Sequence, residues 1–486
     1  MKHENSLKSK TIHGFFWSFV DLIMNQGLQF IIQIILARLL LPEHFGVIGM
    51  ITIFISISNA VVDSGFSNAL IREKEVSQKD YSTVFYFNLI IAVLIYIILF
   101  FSAPAISNFF DEKILINILR ILAISLIINS FGIIQQTMLV RKIDFKTQTK
   151  INMISSLFSG CIGIIAAIMG MEVWSLVIRT LTMNFIQSLL LISYNRWMPS
   201  LVFDMNSFKK LFKYGWKMLV SGLIDTFYCN LYCLIIGKNF SVLELGYYTN
   251  ADKLKSTVSQ SITGAIQKVS YPVLSSIEGG DIKLKSAYKR IIKSCAFIIF
   301  PVMIGLAAVG QPLISLLLGE KWINSIIFFQ ILCFEGMLYP IHAINLNILQ
   351  VKGRSDLFLK LELIKKVIGI SIIVITLALG FGVMGLLWGI VLQCYITYFL
   401  NAHYSNILIK YSIKEQLKDM YPSFFSSTIM GVIVYFIGIT LPFNNIIILL
   451  IQVILGALIY ILISKIIKSE ELSMMMNLII RLKHKK

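Results

Sequence analysis

Long apolar runs alternate with short polar connections along the whole chain. A helix that crosses a bilayer needs about 20 mostly apolar residues. Fourteen stretches qualify, at 12–36, 45–69, 81–104, 114–138, 149–169, 173–194, 214–237, 246–271, 287–310, 322–350, 356–380, 382–404, 418–440 and 443–464. The pattern predicts an all-α integral membrane protein with about 14 transmembrane helices. The first stretch is too long and too polar for a cleaved signal peptide. The longest inner link, 195–213, predicts an interfacial amphipathic helix leading into span 7. The tail 468–486 places Leu472, Met475, Met476, Ile479 and Leu482 on one helical side and predicts a second.

Polar positions inside the spans are as regular as the apolar ones. In span 8 the apolar residues Leu254, Val258, Ile262 and Ile266 form one narrow stripe, and most of the remainder is polar. A helix this polar cannot face lipid around most of its circumference. Span 1 carries Asp21, Asn25, Gln29 and Gln33 four apart; span 2 carries Ser56, Asn59, Asp63 and Ser67; span 7 carries Ser221, Asp225 and Tyr228. A weak repeat of about 200 residues relates these helices, of a kind common in secondary transporters. Gly14 and Trp17 open span 1 as Gly215 and Trp216 open span 7, and Glu43 and Gly46 open span 2 as Glu244 and Gly246 open span 8. The prediction is two pseudo-symmetric six-helix lobes around a central water-filled cavity, at 1–200 and 201–410, with two further spans and a cytoplasmic tail at 411–486.

Composition agrees. Of the 486 residues 57% are hydrophobic and 14% charged, against about 25% charged in soluble domains. The net charge of +18 would suggest a nucleic-acid partner, but its placement argues otherwise. Basic clusters such as Arg141, Lys142, Lys146 and Lys150, or Lys283, Lys285, Lys289 and Arg290, recur in connections on the side of both termini. The opposite connections carry Arg38, Lys113, Lys238 and Lys321 against six acidic residues. By the positive-inside rule both termini are cytoplasmic, and the charge reports orientation, with no nucleic acid implied.

Candidate chemistry then falls on charges within the spans. Arg120, Arg179, Lys253, Lys255 and Lys268 are cations that suit an anionic phosphate or carboxylate substrate. Asp21, Asn25, Asn59, Asp63, Asp225, Asp252 and Glu335 are polar and acidic positions that suit coupling to a proton or sodium ion. The alternative for each is internal pairing, as between Asp252 and Lys255 on one helix. Pro301 and Pro340 are hinges or packing kinks within spans 9 and 10. No phosphate loop or catalytic motif occurs in the sequence. The six cysteines, including the Cys229 and Cys233 pair, read as packing residues, and His342 as a hydrogen-bonded one. No metal, cofactor or enzymatic activity is expected.

The stretches GFFWSFVDLIMNQGLQFIIQIILARLLLPEHFGVIGM and VVDSGFSNALIREKE, then MLVRKIDFKTQTK, GMEVWSLV, LGYYTNADKL and YPVLS, resemble the Wzx-type polysaccharide flippases, in the branch of the colanic and teichuronic acid exporters. The resemblance is clearest over 14–180 and 207–275. It implies the multidrug/oligosaccharidyl-lipid/polysaccharide (MOP) exporter fold. It also implies movement of an undecaprenyl-diphosphate-linked oligosaccharide to the outer leaflet of the bacterial cytoplasmic membrane, by alternating access driven by an ion gradient. Implied partners are this lipid-linked oligosaccharide, membrane lipid, and a polysaccharide polymerase or export complex. No set of binding residues transfers by motif, and Asp252-Lys253 stands where many relatives place an aromatic residue or Arg. Three other readings fit less well. A drug/cation antiporter of the same fold predicts acidic, aromatic walls. A polymerase or ligase predicts a long outer loop bearing Arg and His. A membrane scaffold leaves the polar faces unexplained.

Overall fold

The structure, a computed structural model, describes residues 24–277, 280–474 and 477. Asp21, Gly14, Trp17 and most of the tail's predicted apolar face lie outside the described residues. Every regular element described is helical. Eleven helices or helix pairs among the described residues are long and apolar enough to cross a membrane. Three more predicted spans are helical but do not meet that test. Of span 1, helix α1 is described over 24–39. Span 8 lies in α10 (Val242–Ser275), which is too polar, and span 11 in α15 (Ser355–Ala378), which carries Asp356, Lys360, Glu362, Lys365 and Lys366 in its first half.

The chain divides into two compact units, Met1–Thr249 and Asn250–Lys486. The first contains α1, α2 (Pro42–Asp63), α3 (Phe66–Arg72), α4 (Gln78–Phe110), α5 (Leu115–Leu122), α6 (Ile124–Arg141), α7 (Phe145–Ile168), α8 (Val173–Asn195), α9 (Met205–Asn239) and the first turns of α10. Predicted span 2 is broken between α2 and α3, because Ser64 and Gly65 both take left-handed conformations, with φ of 49° and 68°. A Cβ on Gly65 would strike the Gly215 carbonyl on α9, so glycine is required there both for its φ and for the close approach. Phe66, Leu70, Phe85, Ile134 and Leu211 close a core over this break.

The predicted interfacial helix at 195–213 is a correction. Residues 197–204 are not helical. They run extended along α4: Gln78 Nε2 donates to the Met198 carbonyl at 2.8 Å, and the Asp204 N–H to Thr83 Oγ1 at 3.0 Å. Pro199 explains the loss, since proline and the residue before it both disfavour helix. Asp204 then caps α9, accepting from the Ser207 N–H and hydroxyl at 2.8 and 2.7 Å. These two bonds hold its carboxyl below the usual range. From that cap α9 runs unbroken for 35 residues, roughly 50 Å.

The second unit contains the rest of α10, α11 (Asp281–Ala308), α12 (Gly310–Leu317), α13 (Ser325–Gly336), α14 (Tyr339–Val351), α15, α16 (Gly382–Ile409), α17 (Ile413–Thr440) and α18 (Asn445–Ile466). Predicted span 10 is two helices, α13 and α14. Pro340 sits in the first turn of α14, where a missing N–H costs nothing, whereas Pro301 lies inside α11. The α10 stripe of Leu254, Val258, Ile262 and Ile266 is buried or half-buried, its last three residues packing on a core built around Tyr288, Ile292, Met303, Met337, Ile341 and Tyr398.

Burial is inverted relative to a soluble protein. On α18 the residues facing the protein are Ile448, Gln452, Gly456, Tyr460 and Ser464, four apart, while Leu450, Val453, Ile454, Ile461 and Leu462 are exposed. On α7 Ser155, Ser156, Ser159, Gly160 and Gly163 are buried and Leu157, Phe158 and Ile165 exposed. Small and polar residues at helix contacts with aliphatic ones outside are what lipid as solvent selects. The chain is a multi-pass membrane protein.

Candidate functional site

Helix α10 begins with a capping box: the Ser241 N–H donates to Glu244 Oε2 and the Glu244 N–H to Ser241 Oγ, both at 3.1 Å. The two glycines that mark the sequence repeat have a reciprocal role. A Cβ on Gly46 would strike the Val242 carbonyl, and one on Gly246 the Pro42 carbonyl. The opening turns of α2 and α10 thus cross backbone to backbone.

Further along α10 the serine and threonine hydroxyls are less demanding than their number suggests. Thr257, Ser261 and Thr263 each donate to the carbonyl four residues back, at 2.6–2.7 Å. Between Asp252 and Lys268 the polar residues left exposed are Lys253, Gln260 and Gln267, seven apart on one line. Asn250, 1% exposed, has neither amide atom hydrogen-bonded among the described residues.

Lys255 is the centre of the site. It is 6% exposed, and its Nζ lies 2.9 Å from Asp252 Oδ1 and 2.5 Å from Glu335 Oε2 on α13. Its aliphatic stem lies against Gly336, where a Cβ would be about 3 Å from Cγ and Cδ. Two carboxylates on one ammonium leave the cluster one negative charge in excess. A buried pair of this kind is costly to leave half-made, because removing one partner strands a charge away from water. Beside it, Cys394 Sγ approaches the Glu335 carbonyl at 3.6 Å and His342 Nε2 at 3.1 Å, and Asn401 Nδ2 lies 3.3 Å from His342 Nδ1. His342 is therefore a hydrogen-bonded packing residue, as its sequence context predicts.

The other predicted residues fall elsewhere. Asp63 ends α2 and accepts from Ser67 Oγ, which accepts in turn from Thr137 at 3.2 Å. Asn59 accepts from Asn129 Nδ2 at 3.1 Å, and Asn25 from Gln29 at 3.3 Å. Arg120 donates to the Phe100 carbonyl at 3.2 Å and stacks over that ring at 4.2 Å. The Arg179 stem packs on Gly163. Lys268 is half-buried on α10, and Asp225 is exposed on α9. Of the twelve candidates, the structure brings Asp252, Lys255 and Glu335 into one cluster. Asn129 and Thr137 were not predicted; their partners Asn59 and Ser67 lie about 70 residues away, and no local spacing announces them. Among the described residues no three His, Cys, Asp or Glu side chains group as a metal site.

The family described as polysaccharide biosynthesis protein matches residues 35–327. Teichuronic acid biosynthesis protein TuaB of Bacillus subtilis is 28% identical over 299 residues, 61% of this chain and 62% of that protein, so the match spans less than two thirds of TuaB. Lipopolysaccharide biosynthesis protein WzxC of Escherichia coli is 23% identical over 445 residues, 90% of this chain and 89% of that one. The solved structure of lipid II flippase MurJ in an inward closed conformation superposes with a TM-score of 0.74 at 16% identity, covering 94% of this chain and 98% of MurJ. An inward-facing multidrug resistance MATE transporter of the MOP superfamily superposes at 0.59 with 18% identity, covering 79% and 96%. The fold is the one these transporters share. Matched over more than half of its length, the chain belongs to the polysaccharide biosynthesis protein family.

Proposed function

We propose that this protein is a flippase. It carries an undecaprenyl-diphosphate-linked oligosaccharide from the cytoplasmic to the outer leaflet of a bacterial cytoplasmic membrane by alternating access, for export of a surface polysaccharide. In this reading both termini are cytoplasmic, the lobes are 1–200 and 201–410, and no covalent step occurs. The names of TuaB, WzxC and MurJ support it.

One observation carries the mechanism: Lys255 is buried on the most polar helix and held by two carboxylates. A diphosphate oxygen binds there by exchange, replacing Glu335 at Nζ. Asp252, three residues away on the same helix, stays with the lysine. The displaced Glu335 carboxylate then faces added negative charge and takes up a proton or a sodium ion. One lysine thereby serves both substrate recognition and ion coupling. Lys253, Gln260 and Gln267 form the exposed line along which the acidic sugars pass. A polysaccharide polymerase receives the product.

The test is export in cells whose own copy is replaced. Lys255→Gln should abolish surface polysaccharide when compared with the parent at matched membrane abundance, and normal export would contradict the reading. Asp21→Asn and Asp225→Asn address the rival coupling sites. Gradient-driven translocation that survives both assigns coupling to Glu335.

A further inference from the structure

Helix α11 sorts its basic residues onto two faces. Lys285, Lys289 and Lys293, four apart, are all ion-paired: with Glu415 at 2.7 Å, with Asp419 at 3.1 Å, and with Glu470 and Glu471 at 2.7 and 3.0 Å. Lys283 and Arg290, seven apart, share a different face. Among the described residues Lys283 has no ion-pair or hydrogen-bond partner, and Arg290 donates to Met474 Sδ at 3.1 Å. The helix thus neutralises three of its cations and leaves two without a carboxylate among the described residues.

That second face borders a groove of about 680 Å³ between α11 and the C-terminal half of α10. From Lys283 to Ile298 it extends roughly 22 Å along α11. Lys283 and Arg290 line its first half, about 10 Å apart along α11. Beyond Arg290 the α11 side is uncharged, with Ile291, Ser294 and Ile298, and Ile266 and Val273 face it from α10. Cations along one half and uncharged, largely apolar side chains along the other match a molecule with a phosphate at one end and an acyl chain at the other. A zwitterionic headgroup brings its own cation and leaves the net charge of the two side chains unchanged, whereas an anionic headgroup offsets one of their two positive charges.

We propose that this groove binds an anionic glycerophospholipid such as phosphatidylglycerol. Its phosphate lies between Lys283 and Arg290, and an acyl chain runs along Ile291 and Ile298. The lipid comes from the leaflet beside the basic connections, which the flippase reading names cytoplasmic. The inference goes beyond that reading and needs no transported sugar. A lipid seated there braces the same α10 that carries Lys255.

The test places Trp at half-exposed Val273 (Val273→Trp) in the full chain, reconstituted in phosphatidylcholine vesicles doped with brominated-acyl phosphatidylglycerol or brominated-acyl phosphatidylcholine. The signal is the extra quenching over protein without the substitution. Two cations near a headgroup predict half-quenching at a mole fraction on the order of tenfold lower for phosphatidylglycerol. Lys283→Gln with Arg290→Gln should abolish that preference. Lys289→Gln, on the paired face, should retain it. Equal quenching by the two lipids overturns the proposal, as does a preference that survives in the double variant or is lost equally in Lys289→Gln. A Trp emission shift with inorganic phosphate in undoped vesicles as large as that with phosphatidylglycerol also overturns it.

Discussion

Lys255 on α10 and Glu335 on α13 are 80 residues apart in sequence, and their charged atoms are 2.5 Å apart. The contact ties the most polar helix of the chain to the first half of a broken span. Removing one partner strands a buried charge, at a cost of about 3–5 kcal/mol. Lys255→Met should therefore lower thermal stability in detergent strongly, and Lys255→Met with Glu335→Met should recover much of the loss. Additive losses in that cycle would mean the two groups do not interact.

The reciprocal crossing of α2 and α10 leaves no space for a side chain. Gly246→Ala places a methyl against the Pro42 carbonyl, and Gly46→Ala places one against the Val242 carbonyl. Each should cost about 1–3 kcal/mol through forced backbone shifts, read as a lower unfolding temperature. Gly222→Ala, in α9 with open space around its Cβ and no positive φ, is the contrast for steric cost.

The fold was legible where one chemical pattern repeats over 20 residues. Apolar runs mark most spans, and the inverted burial of α18 follows from Gln452, Gly456, Tyr460 and Ser464 recurring four apart. What failed was local. The breaks at Ser64-Gly65 and between α13 and α14 hide inside apolar runs, and the 197–204 strap was masked by amphipathic spacing that Pro199 overrides.

The site was legible as a set of residues rather than as an arrangement. Asp252 and Lys255 are visible as a pair from helical spacing alone. Glu335 is not, because its partner lies on another helix, so it stands among the anions in sequence and beside a cation in space. Arg120 reads as a cavity cation until Phe100 is seen beneath it. Gly46 and Gly246 mark a repeat in sequence, yet their reason is steric.

Gln452 is buried in α18 and donates to the Val434 carbonyl on α17 at 2.8 Å, while its Oε1 has no partner among the described residues. Hydrogen bonds between membrane helices average about 0.6 kcal/mol. Gln452→Leu should therefore change stability by less than about 1 kcal/mol. A large loss of folded protein on heating would show that this bond is more than packing.

Asp204 lies outside the spans, and the Ser207 N–H and hydroxyl hold its carboxyl below the ordinary range. A depressed carboxyl stabilises the fold above its unfolded pKa, and the contribution is lost as pH falls through the folded one. Asp204→Ala should be less stable than the parent at neutral pH. The gap should close as pH drops below about 4, and a gap independent of pH would place the effect elsewhere.

Translocation of a fluorescent undecaprenyl-diphosphate oligosaccharide in vesicles containing only this protein tests the central claim most directly. The account predicts gradient-driven movement by the parent chain, none by Lys255→Gln, and movement by Glu335→Gln that no longer responds to the gradient. Movement by Lys255→Gln at the parent rate would contradict it.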